Sequence, residues 1–164
     1  MYKKISSALI MLLFFALFIT PSKLFSQNCN VDLKVEKNRN FKSADENGVV
    51  FDLVLTNNSA QKDQFSISQN FLKLSCSSEI HKSTSANVIL TTEILDGNSK
   101  SISEEDFIVL NAGQSYKFKV KLGAAEKNDY QKWSCLEIKA TSQNCKTVAS
   151  STTLSIFLPD PLEE

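Results

Sequence analysis

The side chains best suited to chemistry in this sequence are Cys76 and His81, which lie five residues apart. A thiolate beside an imidazole could act as a nucleophile, and both groups are common ligands of transition metals. A zinc site takes three or four ligands, whereas His81 is the only histidine of the chain. A Ser–His–Asp triad would need that same histidine, and the sequence has no Gly-x-Ser-x-Gly turn to expose a serine. We interpret His81 as a loop residue and expect no catalytic residue, no metal site and no cofactor, so that the protein is not an enzyme.

A second candidate site is the acidic run Glu104-Glu105-Asp106, which could contact calcium. It lacks the spaced Asp and Asn ligands and the glycine that a dedicated calcium loop uses. We therefore predict that this run is a solvated turn or the acidic first turn of a short helix.

A row of lysines is the third candidate. Lys117, Lys119 and Lys121 share one face of a strand, because alternate residues of a β-strand point the same way. This row could meet an acidic partner. The simpler prediction is that it forms the solvent-exposed face of a sheet, close to Asp52 on a neighbouring strand.

Three aromatic residues could stack on a sugar ring: Tyr116, Tyr130 and Trp133. Tyr116 alternates with apolar residues, which predicts a buried side chain. Trp133 precedes Cys135 by two residues, which favours packing beside a disulfide. The possible platform keeps carbohydrate binding as an alternative function, with a polysaccharide as its ligand.

The N-terminus has the pattern of a secretory signal peptide. Lys3 and Lys4 precede the apolar run Ala8–Ile19, and a polar stretch follows Thr20-Pro21. We predict a signal peptide over residues 1–26, cleaved after Ser26, and one domain over residues 27–164. The apolar run is shorter than the roughly 20 residues of a membrane-spanning helix, so a retained membrane anchor is the weaker hypothesis. We expect no transmembrane segment once the signal peptide has been removed.

Cys29 lies close enough to the cleavage point to raise lipid attachment as an alternative. Such a cysteine usually follows a small residue, whereas Gln27-Asn28 precede Cys29. We therefore expect a soluble protein that is secreted or periplasmic, where its four cysteines can oxidise.

Composition narrows the possible partners. Without residues 1–26, and thus without three lysines, the chain has 15 basic and 18 acidic residues, a net charge of −3. Arg39 is the only arginine. Nucleic-acid binding needs a basic surface, so we expect no nucleic-acid partner. Abundant Asn, Ser and Lys with only 4 Gly and 3 Pro are typical of an AT-rich bacterium.

Residues 27–164 show the period-two alternation of β-strands nearly throughout. Its clearest case is Tyr116–Leu122, whose aromatic and aliphatic residues should face the core. Turn signals such as Asn47-Gly48 and Asn57-Asn58-Ser59 separate the strands. We predict strands over residues 31–36, 49–56, 64–69, 88–94, 107–110, 116–122, 133–140 and 147–158.

This pattern predicts an all-β fold, an antiparallel β-sandwich of about seven or eight strands with an irregular insertion near residues 70–87. No amphipathic helix of useful length is evident after the signal peptide, which excludes parallel α/β folds.

Two segments resemble the Ig-like modules of secreted bacterial proteins. Phe51–Ser59 is similar to their apolar strand followed by Asn and a turn, and Leu110–Val120 is similar to their Leu-x-x-Gly-x-Ser segment followed by an alternating strand. Together they resemble fibronectin type III-like and alpha-galactosidase-associated Ig-like domains over most of residues 29–158. The resemblance implies an Ig-like sandwich and no particular chemistry.

The Ig-like topology also selects among the three pairings that four cysteines allow. It places Cys29 with Cys145 at one end of the sandwich and Cys76 with Cys135 at the other. The alternative is Cys135–Cys145 across the last hairpin, which leaves Cys29–Cys76. From all these features we expect a non-enzymatic secreted domain, acting as a structural or protein-interaction component of a bacterial envelope with an envelope or secreted protein as partner.

Overall fold

The computed structural model describes residues 29–74, 76 and 86–162. The predicted signal peptide over residues 1–26 and the loop residue His81 lie outside this range. The described residues form nine strands: β1 Val31–Val35, β2 Phe41–Ser43, β3 Val49–Asn57, β4 Asp63–Phe71, β5 Thr92–Leu95, β6 Ile108–Leu110, β7 Ser115–Leu122, β8 Lys132–Ser142 and β9 Thr147–Leu158. Two short 3-10 turns, Glu36–Asn38 and Lys127–Asp129, are the only helical elements described. Neither is long or apolar enough to cross a membrane.

The strands form two sheets that pack face to face as an Ig-like sandwich. The first sheet has the order β1-β3-β7-β5, and the second has the order β2-β9-β8-β4-β6. All neighbours are antiparallel except β2, which runs parallel to β9. The predicted all-β, Ig-like sandwich is therefore confirmed. The described chain has one strand more than the eight predicted segments, because β2 has only three residues and shows too little alternation to be predicted from the sequence.

The alternating residues of the central strands fill the space between the sheets. In β3, Phe51, Leu53 and Leu55 are fully buried, while Asp52 between them is exposed. On β7, Phe118 and Val120 complete the same layer. The opposite wall comes from Phe65, Ile67, Leu136, Ile138, Leu154 and Ile156, all at most 1% exposed. Burial of this large apolar surface is the main term that stabilises the fold.

The turn before β3 requires its glycine. Asp45 and Gly48 exchange two backbone hydrogen bonds, and Gly48 has a φ of +89°. A Cβ at this position would overlap the carbonyl oxygen of Leu122. Only glycine combines this backbone angle with this close approach, which is the structural basis of the Asn47-Gly48 turn signal.

The irregular region differs in detail from the prediction. Strand β4 continues to Phe71, so the insertion begins after that residue. The predicted strand over residues 88–94 pairs in the first sheet only over Thr92–Leu95. Before Thr92 the chain crosses between the sheets, since the Val88 amide donates to the Trp133 carbonyl and the Gly123 amide donates to the Thr91 carbonyl.

Candidate functional site

Two disulfides brace the sandwich at opposite ends. Cys29, just before β1, joins Cys145 in the β8–β9 turn, with 6.5 Å between their Cα atoms. Cys76, in the insertion, joins Cys135 on β8, with 5.6 Å between Cα atoms. Both separations are ordinary for a disulfide. This is the pairing that the Ig-like topology implies. The two regions are called the Cys29 end and the Cys135 end below.

A buried amide organises the Cys29 end. Asn57, the last residue of β3, is fully buried and donates from Nδ2 to the carbonyls of Gln61 and Leu110. Its Oδ1 accepts from the amide and the hydroxyl of Ser59. Its backbone also pairs with Gly113 and Gln114. The side chain thus joins the two segments that carry the Ig-like resemblance, and all its hydrogen-bonding groups serve the fold.

A buried carboxylate fastens the β8–β9 turn at the same end. Asp63 is 6% exposed and accepts a 2.6 Å hydrogen bond from the Ser142 hydroxyl. Its other oxygen accepts from the amides of Gln64 and Asn144. Ser142 in turn accepts from the Cys145 amide at 3.0 Å. The carboxylate is therefore committed to holding the turn that carries one half of the disulfide.

At the Cys135 end, a side-chain amide takes the place of a backbone amide. Asn87 accepts from the Cys135 amide at 2.8 Å and donates to the carbonyls of Leu72 and Cys135 at 2.7 and 3.0 Å. It fills the ladder where β4 has ended and β8 continues. The buried Ser134 hydroxyl donates to the Val88 carbonyl at 2.8 Å. These bonds attach the irregular segment to the second sheet.

The aromatic residues predicted as a platform lie in separate places. Tyr116 belongs to the first sheet, where its side chain is half-buried and not buried as predicted. It stacks on Phe118 with ring centroids 6.5 Å apart, and partial burial raises its pKa. Trp133 lies on the outer face of the second sheet, 5.4 Å from Phe41 and 5.3 Å from Phe157 between ring centroids. It is only 8% exposed and shares that face with Cys135. The structure therefore does not bring the three rings together on one flat surface.

The lysine row lies on the solvent side of the first sheet, as predicted. Lys119 is opposite Asp52 and Lys121 is opposite Glu93 in the strand register. The Lys117 ammonium lies 2.5 Å from the Glu36 carboxylate. This contact lowers the pKa of Glu36 through its hydrogen bond and charge. Neighbouring acidic residues thus balance the row.

The acidic run forms a solvated turn, in agreement with the first of its two predicted forms. Glu104 and Glu105 are exposed. Asp106 accepts from the backbone amide and the hydroxyl of Ser103 at 2.8 and 2.9 Å. The backbone bond from Ser103 is the main reason why the pKa of Asp106 lies below its usual value. Among the described residues, no three His, Cys, Asp or Glu side chains converge as metal ligands would.

A cavity of about 640 Å³ lies at the Cys135 end and was not predicted from the sequence. It is open to solvent, and its walls come from the β2–β3 turn, the loop after β7 and the segment after β9, so its residues are scattered along the chain. It offers the carboxylates of Asp45 and Glu46 and the Tyr130 side chain beside apolar groups such as Leu158 and Pro159. Asp45 already accepts from the Asn47 amide at 2.7 Å. No local motif signals such a pocket.

Comparisons with known proteins give distant structural likenesses. No family model matches the chain, and no curated protein matches it in sequence. A FixG-related protein from Vibrio parahaemolyticus is similar at 10% identity over 80% of this chain and 97% of that one, with a TM-score of 0.42. The E. coli chaperone DraB is similar at 12% identity over 82% of this chain and 56% of that one, with a TM-score of 0.40. The periplasmic chaperone SfaE has 11% identity over 79% and 57%, with a TM-score of 0.38. Similarity at this level carries no information on shared function.

Proposed function

We propose that this protein is an exported, non-enzymatic Ig-like domain that serves as a structural or protein-interaction component of a bacterial envelope. The observation that carries the proposal is the pair of disulfides, one at each end of the sandwich. Structural disulfides are characteristic of oxidising compartments outside the cytoplasm. The signal-peptide pattern in residues 1–26 supports the same location, either secreted or periplasmic.

The use of polar groups supports a scaffold rather than a reaction centre. Asn57, Asp63, Ser134 and Ser142 are the buried polar residues of the described chain, and each is hydrogen-bonded to a loop or strand end. Catalytic groups are usually positioned toward a cleft where a substrate can reach them. A frame whose buried polar groups all hold loops and strand ends fits an interaction domain that acts through its surface. As part of this proposal, the domain is related to the alpha-galactosidase-associated Ig-like modules that Phe51–Ser59 and Leu110–Val120 resemble.

The disulfide also bears on lipid attachment. A lipid anchor would use the sulfur of Cys29, which the structure pairs with Cys145. One sulfur cannot form both a thioether and a disulfide. We therefore propose a soluble mature protein that begins near Gln27.

Intact-mass measurement of the exported full-length chain tests this proposal. The expected mass lacks residues 1–26 and corresponds to two disulfides with no lipid. A diacylglycerol increment on Cys29, or an uncleaved and reduced protein in the cytoplasm, would contradict it.

Two further experiments test the proposed mode of action. The substitution His81→Ala should leave the free energy of unfolding and the binding of any envelope partner unchanged within error. Loss of a measurable turnover in this variant would refute the non-enzymatic function. A glycan array tests the alternative, since specific retention on any polysaccharide would favour a carbohydrate-binding module instead.

A further inference from the structure

Strand β4 is longer than the strand that borders it at the edge of the second sheet. It pairs with β8 over Phe65–Phe71, whereas β6 covers only Asp63–Phe65 on the other side. Among the described strands, none continues beyond β6 along this border. Within the described part of the chain, the stretch Ser66–Phe71 therefore has a neighbouring strand on one side and an open edge on the other.

The register shows which backbone groups face the open edge. The Leu72 amide donates to the Cys135 carbonyl of β8, and the Gln64 carbonyl accepts from the Gln143 amide just after β8, so the even-numbered residues bond on the β8 side. Alternate residues of an antiparallel strand direct their N–H and C=O groups to opposite sides. The backbone groups of Ile67, Gln69 and Phe71 consequently point to the open edge.

Among the described residues, this edge lacks the features that protect the edges at β5, β1 and β2. At β5 the Ile102 amide donates to the Ile94 carbonyl, and at β1 the Ser150 hydroxyl accepts from the Leu33 amide. Strand β2 has only three residues and carries Lys42. The sequence Ser66–Phe71 contains no charged residue and no proline. Proteins commonly protect open edges with such residues or with covering segments, so this edge remains suited to pairing.

The side chain at the middle of the open edge supplies an independent observation. Gln69 Oε1 is buried and has no hydrogen-bond partner among the described residues. A buried acceptor without a donor is unfavourable. A strand placed on this edge would satisfy Gln69 if it carried a donor side chain at the position opposite.

We propose that a second copy of this chain is the strand that pairs here, antiparallel and centred on Gln69. A two-fold axis at this residue places Gln69 opposite Gln69 of the partner subunit, where each amide Nε2 can donate to the other Oε1. It also places Ile67 opposite Phe71 of the partner subunit, a β-branched and aromatic pair that favours sheet pairing. The two five-stranded sheets would then form one continuous sheet.

The length of the open edge fits this register. Phe65 already pairs with Ile108 of β6, and in the proposed register it would fall opposite Lys73 of the partner subunit. Strand β4 ends at Phe71, before that position. The proposed pairing between the two copies of β4 thus ends where β6 begins to pair with one copy and where β4 of the other copy has ended.

The proposed dimer rests on the proposed function, because it names one interaction surface and its partner. It can nevertheless be disproved while the proposed function still holds. Amide hydrogen exchange of the mature protein, combined with light scattering from micromolar to millimolar concentration, tests it. We expect a concentration-dependent dimer in which the amides of Ile67, Gln69 and Phe71 become protected as the dimer forms. The amides of Ser68 and Asn70, which bond to β8, should be protected at every concentration and act as the internal control.

Three results would overturn the proposal. The protein could be monomeric throughout, it could dimerise with these three amides unprotected, or the three amides could be protected already in the dilute monomer. The last result would mean that the chain covers its own edge. None of these outcomes affects the signal cleavage and oxidation state measured by mass, so failure here is distinguishable from failure of the proposed function.

A matched pair of variants gives a second measurement. Gln69→Glu places two carboxylates opposite each other, and like charges in an interface are strongly unfavourable, so the dimer Kd should rise by roughly tenfold or more at neutral pH. Gln64→Glu adds the same charge to β4 at an exposed residue whose carbonyl bonds to the Gln143 amide, away from the open edge, and it should leave the Kd unchanged. Equal effects of the two variants would contradict the proposed register. If Gln69→Glu does not fold by circular dichroism, the exchange pattern of the unmodified protein decides.

Discussion

The two ends of the sandwich are fastened by different polar chemistry, although each carries one disulfide. At the Cys29 end, the Asp63 carboxylate and the Asn57 amide are both almost or fully buried. At the Cys135 end, the corresponding hydrogen bonds are made by the half-buried Asn87 amide and the Ser134 hydroxyl. The difference follows from what is held: tight turns between strands at the first end, and an irregular segment beside a strand at the second.

The comparison shows how side-chain amides extend backbone hydrogen bonding. A primary amide has a carbonyl acceptor and N–H donors, as a peptide group does. Asn57 uses them to connect turns, whereas Asn87 uses them to continue the ladder past the end of β4. Buried backbone groups that lack a strand partner can thus be satisfied without another strand.

The largest expected effect comes from removing each disulfide. The Cys29–Cys145 bond closes a sequence separation of 116 residues, and the Cys76–Cys135 bond closes one of 59. The chain-entropy relation gives roughly 5 kcal/mol for the first and roughly 4 kcal/mol for the second. We expect the double alanine variant of the first pair to lose more free energy of unfolding in urea. A larger loss for the Cys76 and Cys135 variant would reverse the order of the two ends.

The buried amides give the next effect. Asn57→Ala leaves the Leu110 carbonyl and the Ser59 groups without their partner, and we expect a loss of about 2–3 kcal/mol. Asn87→Ala should cost about 1–2 kcal/mol, because its site is only partly buried and water can replace some of its bonds. Urea unfolding of both variants measures the difference.

Asn58→Ala is the control for these two substitutions. Its side chain is exposed beside Asn57, so its replacement should leave stability nearly unchanged. Equal losses for Asn57→Ala and Asn87→Ala would show that burial does not distinguish the two ends.

The exposed ion pair between Glu36 and Lys117 gives the smallest effect and sets a baseline for both ends. Lys117 lowers the pKa of Glu36, so the pair contributes stability above the ordinary Glu pKa of 4.5 and loses it as the pH falls through the lowered value. The pKa of Lys117 is raised, so its contribution is complete below its ordinary 10.5 and is lost as the pH rises through the raised value. The Lys117 side chain is 74% exposed and that of Glu36 is 33% exposed, so water screens the pair, and we expect no measurable change in unfolding at pH 7 for Lys117→Ala.

An NMR titration of the Glu36 carboxyl group checks this last prediction. In Lys117→Ala its pKa should rise toward the ordinary value, whereas Lys121→Ala, which lies opposite Val50 and Glu93, should not alter it. An unchanged Glu36 pKa in Lys117→Ala would show that the ion pair does not persist in solution.

Much of the fold follows from local patterns. Strict alternation in Tyr116–Leu122 predicts which side chains face the core. Phe118, Val120 and Leu122 are indeed buried, whereas Tyr116 at the start of the strand is only half-buried. Asn47-Gly48 predicts a turn that the structure contains. The short strand β2 was not predictable, because three residues show no period and its partner β9 lies more than a hundred residues away.

The candidate sites were less predictable for the same reason. The cavity at the Cys135 end combines residues from three distant segments. The role of Asn57 depends on the Leu110 carbonyl, 53 residues along the chain. Neither contact leaves a signal in the local sequence, although the Asn57-Asn58-Ser59 turn itself does.

The sequence by itself determined which residues alternate, where the turns fall, and that four cysteines are available to pair. Only the tertiary structure decided that β2 runs parallel to β9, that Asn87 completes the hydrogen-bond ladder at Cys135, and that β4 extends beyond the end of β6. The physical reason is that a period of two residues fixes which face of a strand is buried but not which strand lies beside it. Neighbours are chosen when all strands pack into one core together, and that choice depends on contacts far apart in the chain.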